Sequence, residues 1–140
     1  LRAYARFRSE LRHGTLEAAT LERIALAVAE KHDSAPGIAL HSRTGRAAGL
    51  GLDEVALARK FDSKDPREAA LLRYLREMFA GSGRPPMHLH EEAREEGWTD
   101  EQILEAIAFA SLESFTALVN VAGEVPVDGS TEDTRQLHAA

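Results

Sequence analysis

Apolar residues recur at intervals of three and four along almost the whole chain, and no stretch sustains two-residue alternation of β-branched residues. That periodicity restricts the chain to an all-α fold of about six to seven helices. The spacing predicts a first helix over about 2–13, with Tyr4, Phe7 and Leu11 on its apolar stripe and Gly14 closing it. A second begins near Thr15 or Thr20 and runs to about Lys31, its stripe made by Leu21, Ile24, Ala25 and Val28. A third opens after "HDS", capped by Asp33 or Ser34, with Pro36 in the first turn and Gly49 as a left-handed end. A short fourth covers about 52–60. "DPRE" at 65–68 supplies an N-cap, a first-turn proline and a capping-box glutamate for a fifth, which carries Leu71, Leu72, Leu75, Met78 and Phe79 as far as "GSG" at 81–83. A sixth follows Pro85 and Pro86 to about Glu96. "TDEQ" at 99–102 is another capping box and opens the longest helix, about 100–121. Being apolar on most sides, that helix belongs in the core or at a subunit interface. "AGLGLDEV" (48–55) and "EGWTDEQI" (96–103) align as a weak internal repeat, each a helix end, a turn and a new helix start.

The 140 residues suffice for one domain with a modest core, expected over 1–128, with 129–140 as a polar tail or docking arm. Seventeen Lys and Arg against 23 Asp and Glu give a net charge of −6, which argues against nucleic acid as a partner. The basic run Arg2, Arg6, Arg8 and Arg12 reads as a solvated or interface-facing helix side. The longest apolar run, "IALAVA" at 24–29, is far short of a membrane span, and no leader pattern opens the chain. A cytoplasmic protein with no membrane partner is the expectation.

Within the third helix, Ser34-x-x-Gly37-x-x-x-His41 places two small residues and a histidine on one face. Glu22 lies about ten residues before the turn between the second and third helices, and His41 about eight after it. At a rise of about 1.5 Å per residue the two stand at similar heights on antiparallel neighbours, close enough to touch or to share a water. A partly desolvated Glu22 has its pKa raised, which suits proton exchange with His41. "PPMHLHEE" at 85–92 invites a metal reading, but His88 and His90 on one helix point about 200° apart and cannot chelate one ion together. No metal and no cofactor is expected. Trp98 and Phe109 are expected in the core.

These motifs bring the chain to a known family. It resembles the carboxymuconolactone decarboxylase and alkylhydroperoxidase D-like (AhpD-like) superfamily. The redox branch carries Glu, eleven intervening residues, then Cys-x-x-Cys-x-x-x-His and a helix end such as "AGLS-x-EEI". Glu22 stands twelve positions before Ser34, "SAPGIALH" occupies the cysteine frame, and "AGLGLDEV" follows. "NVAGEVPVD" (120–128) is similar to the family's closing segment. The resemblance implies an AhpD-like helical bundle and a homo-oligomer, trimer or hexamer. It also implies a Glu22–His41 proton relay beside the positions of two cysteines, now Ser34 and Gly37.

The chain contains no cysteine. A serine hydroxyl cannot cycle through sulfenic acid and disulfide, and glycine has no side chain, so the dithiol peroxidase mechanism is closed. What remains is a helix N-terminus with free N–H groups, space beside Gly37 and Pro36, the Ser34 hydroxyl and an acid–base pair. That set suggests a cofactor-free pocket for an unknown small molecule, with Glu22 as general base, His41 as proton shuttle and Ser34 as anion holder. The alternatives are a non-catalytic ligand- or partner-binding oligomer and, against the cysteine count, an alkylhydroperoxidase or peroxiredoxin-type activity. Purified protein is expected to show no dithiol-dependent reduction of peroxide in a coupled assay. Measurable turnover would reveal a nucleophile that the composition does not supply.

Overall fold

The computed structural model describes residues 1–123, which form seven α-helices: α1 (Arg2–Arg12), α2 (Ala18–Lys31), α3 (Ala35–Ala47), α4 (Leu52–Ala58), α5 (Pro66–Ala80), α6 (Met87–Glu95) and α7 (Asp100–Ala122). The expected tail, and the part of "NVAGEVPVD" beyond Gly123, lie outside the described residues.

The centre of the fold is α2, not α7. From Thr20 to Ala29 only Arg23 on α2 escapes full burial, and the helix packs against α3, α4, α5 and α7. Its alanines at 25, 27 and 29 let neighbours approach on several sides, while Leu21, Ile24 and Val28 enter the main core. That core is completed by Leu71, Leu72 and Leu75 of α5, by Leu89 of α6, by Trp98, and by Ile103, Ala106 and Phe109 of α7. A smaller cluster of Leu26, Leu50, Val55 and Ala58 seats the α3–α4 corner.

α7 divides along its length. Ile103, Phe109, Leu112 and Ala117 are buried, whereas Leu104 (66% exposed), Leu118 (52% exposed), Phe115, Val119 and Val121 face outward. By length and composition alone this helix could cross a membrane, but one face of it is wrapped by α1, α2, α3 and α5. α1 departs from its expected stripe. Phe7 is 47% exposed, and the inward face is formed by Tyr4, Arg8, Leu11 and Arg12, none fully buried.

Helix ends follow the sequence signals with two exceptions. Ser34 and Asp65 cap α3 and α5, and Thr99 with Gln102 completes the capping box of α7. Glu68 does not complete a box with Asp65. It turns into the protein, where Thr20 donates to it at 2.7 Å and Arg23 stands 3.6 Å away. Asp33 is not the cap of α3; it closes α2 in the left-handed region at φ +52°. The repeat seen in the sequence is a repeat of terminators. The Leu50 N–H donates to the Gly45 carbonyl at 3.0 Å and the Trp98 N–H to that of Ala93 at 3.1 Å, around left-handed Gly49 and Gly97.

The α2–α3 contact is set by residues four apart. The buried residues of α3 are Gly37, His41 and Gly45. A Cβ at Gly37 would lie 3.0 Å from the Ala29 Cβ and 3.1 Å from the Ser34 Oγ; one at Gly45 would lie 3.2 Å from a Leu50 methyl. The absence of side chains at both ends of this row lets α3 lie close on α2, with His41 between them. Gly37 therefore does not leave open room at its own Cα, as the cysteine frame suggested. Gly37→Ala is expected to lower stability by about 1 kcal/mol or more, because the Ala29 Cβ is fixed to the α2 backbone and crowding outweighs the helix-propensity gain of about 1 kcal/mol. Chemical denaturation reads this directly, and an unchanged or raised midpoint would show that the helix spacing is set elsewhere.

Candidate functional site

His41 is held between two carboxylates. Its Nδ1 lies 2.8 Å from Glu22 Oε2 on α2, and its Nε2 lies 3.3 Å from Glu113 Oε2 on α7. All three side chains are buried. Glu22 is also bound by the Thr44 hydroxyl, one turn after His41, which donates at 2.6 Å, and by Arg12, which donates at 3.2 Å. Glu113 accepts from Arg8 at 2.6 Å. Arg8 and Arg12, one turn apart on α1, thus each serve one of the carboxylates. The basic face of α1 splits accordingly: Arg2 and Arg6 are exposed, while Arg8 and Arg12 turn inward. The Tyr4 hydroxyl meets Thr116 Oγ1 at 2.7 Å and continues the seam between α1 and α7.

A neutral imidazole has one N–H and one lone pair, so it can donate to only one of two flanking carboxylates. The protonated ring donates to both. Burial disfavours the imidazolium, but the hydrogen bonds to Glu113 and Glu22, with their charges, outweigh it and raise the His41 pKa above its ordinary value. The expectation for Glu22 is reversed. Burial pushes its carboxyl up, yet the bonds from His41, Thr44 and Arg12, with the charge of His41, hold it down to about 2. Glu113 is likewise lowered: His41, Arg8 and Arg12 overcome its burial.

A cleft of about 220 Å³ opens beside this cluster, bordered by Arg8, Ser34, Gly37, His41, Arg43 and Glu113 among others. Pro36 also lines it. Glu22 does not; it stands behind His41. Ser34 is fully buried, and its Oγ accepts the Gly37 N–H at 3.3 Å as the cap of α3. Pro36 has no N–H, and the Ile38 N–H is bonded to the Ser34 carbonyl at 2.9 Å. The helix tip therefore offers few free donors.

Sequence reasoning brought Glu22 and His41 together but missed Glu113, Arg8, Arg12 and Thr44. Glu113 had a signal: it is the lone charge between Ala106 and Ala122. His88 and His90 lie away from the cleft. His88 is exposed, and His90 stands 3.5 Å from Asp100 and against the Tyr74 ring. Trp98 is buried under the Arg67 guanidinium, 3.7 Å from its ring centre.

No family model and no curated protein matches the chain. Solved structures do. A protein of unknown function from Agrobacterium tumefaciens with a proposed AhpD antioxidant role matches at TM-score 0.80 and 19% identity, over 90% of this chain and 88% of that one. An uncharacterized peroxidase-related protein from Silicibacter sp. TM1040 matches at TM-score 0.81 and 16% identity, over 92% and 70%. An AhpD-core, peroxidase-related protein from Ralstonia eutropha JMP134 matches at TM-score 0.80 and 20% identity, over 91% and 70%. The class is thereby defined: this chain has the all-helical AhpD-like fold. Within that class it is a cysteine-less example, with Ser34 and Gly37 in the cysteine frame and a two-carboxylate histidine beside them.

The charge cluster makes stability depend on pH at both ends. His41 binds its proton more firmly in the folded state, so its contribution is complete below about pH 6.5 and is lost as pH rises through the raised value. Glu22 contributes fully above about pH 4.5, and its contribution is lost as pH falls toward about 2. Unfolding free energy is therefore expected to peak between these limits. Glu22→Gln, which leaves Arg12 and His41 short of a partner, should cost about 3 kcal/mol at pH 6 and flatten the acid limb. Denaturant titrations across pH test both, and an unaltered acid limb in the variant would contradict the assignment.

Proposed function

We propose that the chain is a small-molecule pocket protein of AhpD-like ancestry in which the Glu22–His41–Glu113 cluster moves a proton to and from a ligand in the cleft. The reading is carried by one observation: a histidine with a carboxylate facing each ring nitrogen lines that cleft. The hold on the ring is uneven, 2.8 Å on the Glu22 side and 3.3 Å on the Glu113 side. The looser proton is the one shared with Glu113, which also borders the cleft. In this reading His41 and Glu113 meet the ligand, and Glu22 acts through His41 by fixing its ring and its charge. Ser34, whose oxygen is engaged as a cap, can still donate its hydroxyl proton into the cleft.

The rival reading is a non-catalytic binding module, favoured by two features: Glu22 does not reach the cleft, and a side chain at Gly37 would be crowded. In either case we propose a homo-oligomer, trimer or hexamer, supported by the outward Phe115, Leu118, Val119 and Val121 of α7. Thiol peroxidase activity is not part of the proposal.

The deciding experiment is native mass spectrometry of purified protein to identify a co-purified small molecule, followed by assay of its conversion. His41→Asn is expected to abolish conversion while the molecule still binds. Glu22→Gln is expected to lower the rate by about 10²-fold or more and to shift its pH optimum, as loss of a positioned acid–base pair would. Conversion that survives both substitutions would remove the proton relay, and binding without conversion by the parent protein would establish the rival reading.

A further inference from the structure

The charge around the cleft is opposite in sign to that of the chain. The total is −6, yet four cationic groups gather here, Arg8, Arg12, Arg43 and the His41 imidazolium, against two carboxylates, Glu22 and Glu113. Three of the cations face those carboxylates. Arg43 does not: it is exposed at the mouth, and no carboxylate lies within ion-pair distance of it among the described residues. Pro36, Ala39, Leu40 and Ala117 give the lining an apolar part, beside the polar Ser34, Thr116 and Asn120. Glu113, in contrast to Arg43, is buried where it lines the cleft.

Three constraints follow for an occupant. An unpaired guanidinium at the mouth suits one carboxylate, which it can bind through two parallel hydrogen bonds. Alanine, proline and leucine walls suit an apolar body. At the other end the cations Arg8 and His41 are already taken up by Glu113, so no unpaired cation is left there for a second carboxylate. The volume, about 220 Å³, lies below the roughly 300 Å³ at which pockets for drug-sized molecules begin. We propose that the cleft binds a small monocarboxylate with a short apolar body, its carboxylate on Arg43 and its remote end against His41 and Glu113. This assignment rests on the reading of the cleft as a ligand site and names the class of molecule that site takes. It also sets the direction of entry: the end away from the carboxylate is the one brought to the proton-bearing cluster.

The test is titration of the full chain with benzoate, its neutral analogue benzamide, the dicarboxylate terephthalate and inorganic phosphate, followed by calorimetry and by backbone amide NMR. Benzoate is expected to bind at least tenfold more tightly than the other three and to shift the amide signals of Leu40, His41 and Ala117. Arg43→Met, at an exposed position, is expected to weaken benzoate about tenfold and leave benzamide unchanged. Equal binding of benzoate and benzamide, tighter binding of terephthalate or phosphate, or indifference to Arg43→Met would each overturn the ligand class. If benzamide shifts those three signals and benzoate does not, the ligand class falls while the cleft remains a ligand site. If no probe shifts them, the ligand class and the reading of the cleft both fall.

Discussion

An imidazole clamped between two carboxylates, out of water, is the constraint around which the described residues are arranged. Three buried ionisable groups are costly unless each is paired and hydrogen-bonded. Here the pairing extends outward: Glu22 needs Arg12 and Thr44, and Glu113 needs Arg8. The arginines explain the position of α1. That helix contributes no fully buried residue, so apolar burial contributes little to holding it against the body. Its attachments include Arg8, Arg12 (also over the Phe109 ring), the Tyr4–Thr116 hydrogen bond, the Tyr4 ring against Phe115, and Leu11 packed against the core. The two arginines dock the amino-terminal helix on the same carboxylates, Glu113 and Glu22, that favour the charged form of His41.

Much of the cluster could be read from the sequence, because its first half is local. Two antiparallel helices joined by a short turn bring Glu22 and His41 to one height by arithmetic on the helical rise alone. Helix starts were legible for the same reason: caps at Ser34, Asp65 and Thr99 act within four residues. What was not legible depends on the third dimension. Glu113 is 72 positions from His41, and no spacing rule connects them. Burial alone would raise the Glu22 pKa; the bonds from His41, Thr44 and Arg12 together outweigh it, and of these only the His41 contact follows from spacing, which is why the direction differs from the expectation. Glu68 obeys the local capping pattern but is taken by Thr20 and Arg23 from a neighbouring helix. The uniform apolarity of α7 concealed which face it buries, whereas the small residues of α2, which look like weak core formers, mark the helix surrounded on most sides. Gly37 looked like a gap because a cysteine frame leaves a hole when its side chain is deleted. In three dimensions the Ala29 Cβ of the neighbouring helix crowds the place where its side chain would begin, although Gly37 still borders the cleft.

The missing thiols alter the electrostatics of the fold as well as its chemistry. A thiol beside a glutamate–histidine pair gives the histidine a proton to accept, and the imidazole alternates between charged and neutral. Ser34 and Gly37 provide no such proton at neutral pH. With carboxylates facing both ring nitrogens, the charged imidazolium is favoured more than in a free histidine. The cleft is thus bordered by Arg8, Arg43 and a histidine whose charged form is favoured, in a chain of net charge −6.

Stability alone does not account for such a cluster. Replacing a buried ion pair by well-packed apolar groups is often neutral or stabilising, while deleting one partner is strongly destabilising. A chain that needed only to pack α2 against α3 and α7 could do so with leucine and alanine at 22, 41 and 113, as it does at the neighbouring Leu26, Ala29 and Ala110. It would then have no need to turn two arginines of α1 inward. The position of the cluster is the discriminating fact. It does not lie in the middle of the apolar core formed by α2, α5 and α7; it lies at the one seam where α1, α2, α3 and α7 converge and where a cleft reaches the ring. A charge buried for specificity of packing can sit anywhere along a helix interface. The proposed proton exchange requires a group at the wall of a cleft, and His41 lines one.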